Sequence, residues 1–122
     1  MWISIRTLRK SFLYAWKGFM YTFRNEQNFR LQNLMGVLVI LAMVFFRVTP
    51  AEAVALIFMI VAVLVLEILN TIVERFIDIL KPRLHDEVAI IKDMMAAAVF
   101  LAACGSIVVG FIIFTPYVIA LL

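Results

Sequence analysis

The chain has 122 residues, 66% of them hydrophobic and 16% charged, with a formal net charge of +3. Its mean hydropathy is +1.11. A soluble domain is only about half apolar, so a soluble enzyme fold is excluded. The length allows one domain. Cys104 is the single cysteine, so it has no internal disulfide partner and reads as a small core residue. The N-terminus mixes basic and aromatic residues instead of setting a basic tip before an apolar block, so no cleavable signal peptide is expected. Zinc and nucleic-acid motifs are absent, and no nucleic-acid partner is expected.

Residues 1–24 alternate basic and apolar side chains at helical spacing. At ~100° per residue, Trp2, Ile5, Leu8, Phe12, Trp16, Phe19 and Phe23 share one face, with Arg6, Lys10, Lys17 and Arg24 to one side. This predicts a helix lying in the membrane interface, with its cations toward lipid phosphates. Residues 31–49 form the first spanning candidate, close to the ~20 residues that cross a ~30 Å hydrocarbon core. Arg47-Val48-Thr49-Pro50-Ala51-Glu52 reads as a short turn, because proline disfavours helix at the residue before it. Residues 53–80 make a second, longer helix, apolar to Leu66 and acidic beyond it, ended by Lys81-Pro82-Arg83. A polar connector with His85, Asp86 and Glu87 follows, and Lys92 and Asp93 open the third span, 92–122. The expected fold is therefore an all-α integral membrane protein: an amphipathic surface helix and three transmembrane helices.

Orientation is read from the basic residues. Arg6, Arg9, Lys10, Lys17, Arg24 and Arg30 precede the first span, and Arg75, Lys81, Arg83 and Lys92 flank the connector. Only Arg47 of the 11 cations lies on the other side. The positive-inside rule then predicts a multi-pass protein of a bacterial cytoplasmic (inner) membrane with a cytoplasmic N-terminus.

Glu67, Asn70, Glu74 and Asp78 are the candidate chemistry. Their offsets from Glu67 place them within about 80° of one another, a polar stripe ~16 Å long bordered by Thr71. Carboxylates inside a membrane helix are costly and usually face a protein interior or a water-filled cavity. A set of like charges on one line also needs a counter-cation. Glu26, Lys92 and Asp93 enter the same level from the neighbouring segments. Mg²⁺ takes one or two carboxylates plus phosphate oxygens, and a lysine offsets phosphoryl charge. The ensemble therefore suits phosphoryl transfer at a membrane boundary. The chain contains 4 glycines, and none forms a phosphate-binding loop. The alternative is a non-catalytic oligomeric membrane module in which the stripe is helix–helix glue or an ion path. A transporter built on inverted repeats would show matching halves, and none is visible.

The run E-I-L-N-T-I-V-E-R-F-I-D over 67–78, then His85, then K-D-M-M-A-A-A-V over 92–99, resembles the prokaryotic diacylglycerol kinase and undecaprenol kinase family. That family's pattern is E-x-x-N-[ST]-A-x-E-x-x-x-D, followed by H-x6-K-D and an alanine-rich helix start. Tyr14-Ala15-Trp16-Lys17-Gly18 and Glu26-Gln27-Asn28-Phe29-Arg30 match as well, so the resemblance spans nearly the whole chain. It implies a homotrimer of three-span subunits whose shared sites take MgATP from the cytoplasm and a lipid alcohol from the membrane. It implies Glu67 as general base, Glu26 and Glu74 as Mg²⁺ ligands, and Asn70 beside the base. Tyr14, Glu26, Glu74, Asp78, His85, Lys92 and Asp93 would line the nucleotide site, with Lys10 and Lys17 in support. Asn28-Phe29, Leu69-Asn70-Thr71 and Ile112 to Pro116 look more like undecaprenol kinases. Trp16-Lys17-Gly18 and Asn25-Glu26 look more like diacylglycerol kinases. Undecaprenol is the expected substrate, with diacylglycerol, giving phosphatidic acid, as the alternative. Three departures stand out: Ile72 and Ile91 replace alanines, and Arg83-Leu84 stand where an aromatic often precedes the histidine. Small residues let membrane helices approach closely, so the two isoleucines are expected to reshape the substrate fit.

Overall fold

The computed structural model describes residues 2–80 and 85–122, and the side chain of His85 lies outside the described residues. The terminator Lys81-Pro82-Arg83 and the departure at Arg83-Leu84 also lie outside them. The described residues form four helices in chain order: α1 (Ile5–Asn25), α2 (Gln27–Phe46), α3 (Pro50–Leu80) and α4 (His85–Leu121). Three of them, α2, α3 and nearly all of α4, are long and apolar enough to cross a membrane.

The boundaries differ from the sequence expectation in four places, each for a local reason. Trp2 to Ser4 precede the first helix, because Ser4 makes no side-chain cap and the chain there is extended. The first span starts at Gln27 rather than 31, since the extended residue Glu26 starts the helix directly after α1. The turn expected over 47–52 is only Arg47 to Thr49. There Arg47 takes the left-handed conformation (φ 50°, ψ 53°). The Val48 N–H reaches the Met43 carbonyl at 3.3 Å and the Arg47 N–H the Val44 carbonyl at 3.4 Å, a Schellman closure. Thr49 and Glu52 then form a capping box around Pro50, the Thr49 N–H donating to Glu52 Oε1 at 2.9 Å and the Glu52 N–H to Thr49 Oγ1 at 3.3 Å. Lastly, the expected polar connector at 85–91 is helical, and α4 begins at His85. Asp86 and Glu87 lie in its first turn, where carboxylates favour the positive helix end.

α3 is the centre of the molecule. It packs most extensively on α4, next on α2, and least on α1. Its buried residues Leu56, Val63, Glu67, Thr71 and Ile77 follow helical spacing along one face. Gly36 lets α2 approach it, since a Cβ there would sit 3.1 Å from Ile60 Cγ2. The Tyr117 hydroxyl donates to Glu52 and fixes the register of α4. Phe46 packs beside Tyr117 and Phe114, with ring centroids 5.8 and 5.9 Å away, and seals that end. An apolar groove of about 730 Å³ runs between α2, α3 and α4, floored by Val63 and Ile60.

α1 carries the expected amphipathic face. Trp2, Ile5, Leu8, Phe12 and Trp16 are exposed. A face of this kind suits the headgroup boundary of a bilayer. Its C-terminal half turns inward, where Phe19 meets the fully buried Phe29 edge-on at 5.1 Å. Arg75 of α3 lies over the Tyr21 ring at 5.1 Å and ties α1 to the C-terminal part of α3.

Candidate active site

A ~30 Å hydrocarbon core counted along α3 from Pro50, at ~1.5 Å per residue, ends near Asn70. Glu67 therefore sits in the last apolar turn, and Glu74 and Asp78 lie beyond it. This follows from the sequence, since the helix is uncharged from Ala53 to Leu66. Glu67 is 4% exposed, and Thr71 beside it is 5% exposed. The Thr71 hydroxyl is satisfied by the Glu67 carbonyl at 3.0 Å. Asn70 and Glu74 are half-buried, and Asn70 Nδ2 donates to Glu74 Oε1 at 3.3 Å. Asp78 is exposed. The helical stripe is therefore present, and its exposure rises with distance from the apolar zone.

Glu26 joins the stripe from another element. It is the only residue between α1 and α2, in extended conformation (φ −118°, ψ 113°). Its N–H donates to the Thr22 carbonyl at 2.9 Å, and its carbonyl accepts from the Arg30 N–H at 3.2 Å. This corner brings Glu26 close enough for its charge to bear on Glu67, as Glu74 does from the next turns of α3. Two half-buried carboxylates, Glu26 and Glu74, thus each carry like charge toward the buried Glu67. Such a set repels itself unless a cation or protons offset it.

The remaining sequence candidates are placed differently. With Tyr117 against Glu52, counting back along α4 puts Lys92 at about the depth of Ile77 and Asp78, roughly one turn outward from Glu74. Lys92 is half-buried and Asp93 exposed. Tyr14 is 68% exposed on α1, about 18 Å along the chain from Glu26. Lys17 reaches back over the Tyr14 ring at 5.9 Å, and Lys10 lies a further two turns away. Within one chain, Tyr14, Lys10 and Lys17 thus stand apart from the carboxylates. The side chain of His85, expected at the nucleotide, lies outside the described residues. Ile72 and Ile91 are 55% and 46% exposed and point away from the cluster, so within one chain neither crowds it.

Sequence reasoning takes Arg30 only as a flanking cation and part of a matching run, and misses that its side chain bonds the end of α1. Its signal was available: a cation four residues after an extended corner, within reach of a helix C-terminus. It also missed the Tyr117–Glu52 pair. Those residues lie 65 apart in sequence, and no local pattern links them.

Among the described residues, no three His, Cys, Asp or Glu side chains gather into a metal cage. Mg²⁺ does not require one, because it keeps waters and takes substrate phosphates beside one or two carboxylates. Two half-buried carboxylates beside a third, with their like charges uncompensated, fit that donor set.

The family described as prokaryotic diacylglycerol kinase matches residues 13–114. A diacylglycerol kinase of Synechocystis is 34% identical over 122 residues, covering 99% of this chain and 70% of its own length. An undecaprenol kinase of Bacillus subtilis is 30% identical over 107 residues, covering 88% of this chain and 87% of its own. A diacylglycerol kinase of Escherichia coli K12 is 30% identical over 95 residues, 78% of each chain. A buried glutamate at the foot of an acidic stripe, carried by three apolar helices over the matched residues, agrees with these likenesses. The chain belongs to the prokaryotic diacylglycerol kinase family and is a multi-pass membrane lipid kinase.

Proposed function

We propose that the chain transfers the γ-phosphoryl group of MgATP to the hydroxyl of undecaprenol, at a site facing the cytoplasm. The observation that carries this reading is the convergence of buried Glu67 with Glu26 and Glu74 where α3 leaves its apolar zone. A lipid alcohol presents its hydroxyl at that depth. Glu67 accepts the hydroxyl proton as the oxygen attacks the γ-phosphorus, and the bond from that phosphorus to the β,γ-bridging oxygen breaks, releasing ADP. Glu26 and Glu74 hold Mg²⁺, and Asn70 orients Glu74 through its amide. Mg²⁺ held there would supply positive charge that offsets the charge of the phosphates. Lys92 supplies a further positive charge to the phosphates, with Asp78, Asp93, Tyr14 and His85 around the nucleotide. Lys10 and Lys17 hold α1 to anionic headgroups.

Two features support assembly as a homotrimer. Asn70, at the edge of the apolar zone, is only half-buried in one chain, which is unfavourable beside lipid. Tyr14, assigned to the nucleotide, stands away from the carboxylates of its own chain, which a neighbour's site would account for. The cation distribution supports a cytoplasmic N-terminus in an inner membrane.

Undecaprenol is supported by Asn28-Phe29 and the segment 112–116, and by the Bacillus subtilis relative, which this chain covers over 87% of its length. Diacylglycerol is the second reading, favoured by the Synechocystis relative at 34% identity. The test is an ATP-coupled assay of the purified chain in mixed micelles, with undecaprenol and diacylglycerol side by side. The expected result is Mg²⁺-dependent phosphorylation with higher kcat/KM for undecaprenol. Higher kcat/KM for diacylglycerol reverses the substrate assignment. Glu67→Gln is expected to lower turnover by about 10²–10⁴-fold with helix content unchanged. Wild-type turnover in that variant removes Glu67 as the base.

A further inference from the structure

We infer that Arg30 is a positioning residue that braces the one-residue corner holding the Glu26 carboxylate toward Glu67 and Glu74. The inference rests on the reading that Glu26 holds the metal.

The corner is an unusual place for such a ligand. α1 ends at Asn25 and α2 begins at Gln27, so Glu26 alone turns the chain. The direction of its side chain therefore depends on the angle between two helices. A small rotation of α1 against α2 displaces the carboxylate, whereas Glu67 and Glu74 are fixed by one continuous helix.

Arg30 opposes that rotation. Its Nη1 donates to the Phe23 carbonyl at 2.9 Å and to the Arg24 carbonyl at 2.9 Å. These lie in the last turn of α1, whose carbonyls have no partner within the helix and carry its negative dipole end. A guanidinium held by the first turn of α2 is thus bonded to the last turn of α1, across the corner. The apolar side of the same corner is the edge-on contact of Phe19 with the fully buried Phe29. A ring contact leaves rotational freedom, and the two directed hydrogen bonds remove it.

The site itself loads this brace. Glu26 carries like charge toward Glu67, a repulsion that the corner has to hold against. Arg30 holds the geometry until metal binding relieves the repulsion. Its contribution should therefore show as metal affinity rather than as fold.

Arg30→Met keeps most of the stem and removes the donors. Three measurements test it on the full-length protein in micelles: Mn²⁺ binding by loss of the free-ion EPR signal with a non-hydrolysable ATP analogue, tryptic cleavage after Arg24 without metal, and activity against free Mg²⁺. The expected result is metal affinity weaker by about tenfold or more, faster cleavage at Arg24, and a rate that recovers largely at saturating Mg²⁺. Arg30→Lys keeps the charge without the planar fork and should fall between the two; it carries the test if the methionine variant misfolds. Wild-type metal binding and cleavage in both variants overturns the inference, as does a loss of rate that no Mg²⁺ concentration restores. Glu26→Gln serves as reference. If it binds Mn²⁺ like the wild type, the metal role of Glu26 fails and the brace with it. If it binds weakly while the Arg30 variants bind normally, only the brace fails.

Discussion

At the residue scale, similar polar groups on α3 have different tasks. Asn70 and Thr71 are neighbours on the stripe, and each makes one hydrogen bond. Asn70 spends its amide on a carboxylate, Glu74, at 3.3 Å. Thr71 spends its hydroxyl on the Glu67 carbonyl of its own helix at 3.0 Å, the ordinary way such a side chain is satisfied in an apolar segment. Asn70→Ala should therefore lower kcat/KM by about tenfold or more, because groups that orient metal ligands typically matter that much. Thr71→Val removes a hydroxyl at nearly constant shape, and its activity should stay within a few-fold of wild type. Steady-state kinetics on both variants checks the contrast. Equal losses would mean that the stripe acts as packing.

At the element scale, the helices are positioned by their ends and by one close approach. The turn between α2 and α3 combines a left-handed Arg47 with the Thr49–Glu52 capping box. Thr49→Ala should destabilise the chain by about 1 kcal/mol, measured as a lower midpoint of thermal inactivation in detergent. Gly36→Leu should do more harm. Even a Cβ at that position stands 3.1 Å from Ile60, so a branched side chain must push α2 off α3. Because α2 begins at the Glu26 corner, the same variant should also lose activity, whereas Thr49→Ala lies at the far end and should keep it. The Gly18→Ala control meets nothing within 4 Å and should not destabilise, instead raising the midpoint slightly through helix propensity.

At the scale of the whole molecule, the proposed site is one that neighbouring chains would share. Its buried apolar core is small, with Phe29 the only fully buried large side chain among the described residues. Many large apolar side chains are exposed on every span, as expected where lipid replaces water. A half-buried Asn70 at the edge of the apolar zone is not suited to lipid. Cross-linking in native membranes should therefore yield trimers, and mixing Glu67→Gln chains with Lys92→Ala chains should restore activity if sites are shared between subunits. Monomers alone, or no complementation, would mean that each chain works by itself.

How much of this was legible without coordinates follows from the range of each interaction. The three spans and the acidic stripe depend on residues three to eleven apart on one helix, and hydropathy and a ~100° period are enough to read them. Glu67, Asn70, Glu74 and Asp78 were identified on that basis, and their graded exposure followed the distance from the apolar run. Helix ends were less legible. The Arg47 closure and the early start of α4 turn on backbone hydrogen bonds that many sequences satisfy. Two features needed the tertiary structure. Tyr117 meets Glu52 only because α3 and α4 lie side by side, and Glu26 nears Glu67 only because one extended residue, braced by Arg30, folds α1 back against α3. Sequence alone determined which residues are acidic and at what depth on α3 they lie, because side-chain period and apolar length are local properties. Only the packing of helices decided that a carboxylate from a separate element joins them, because that depends on an interhelical angle set by contacts across a corner.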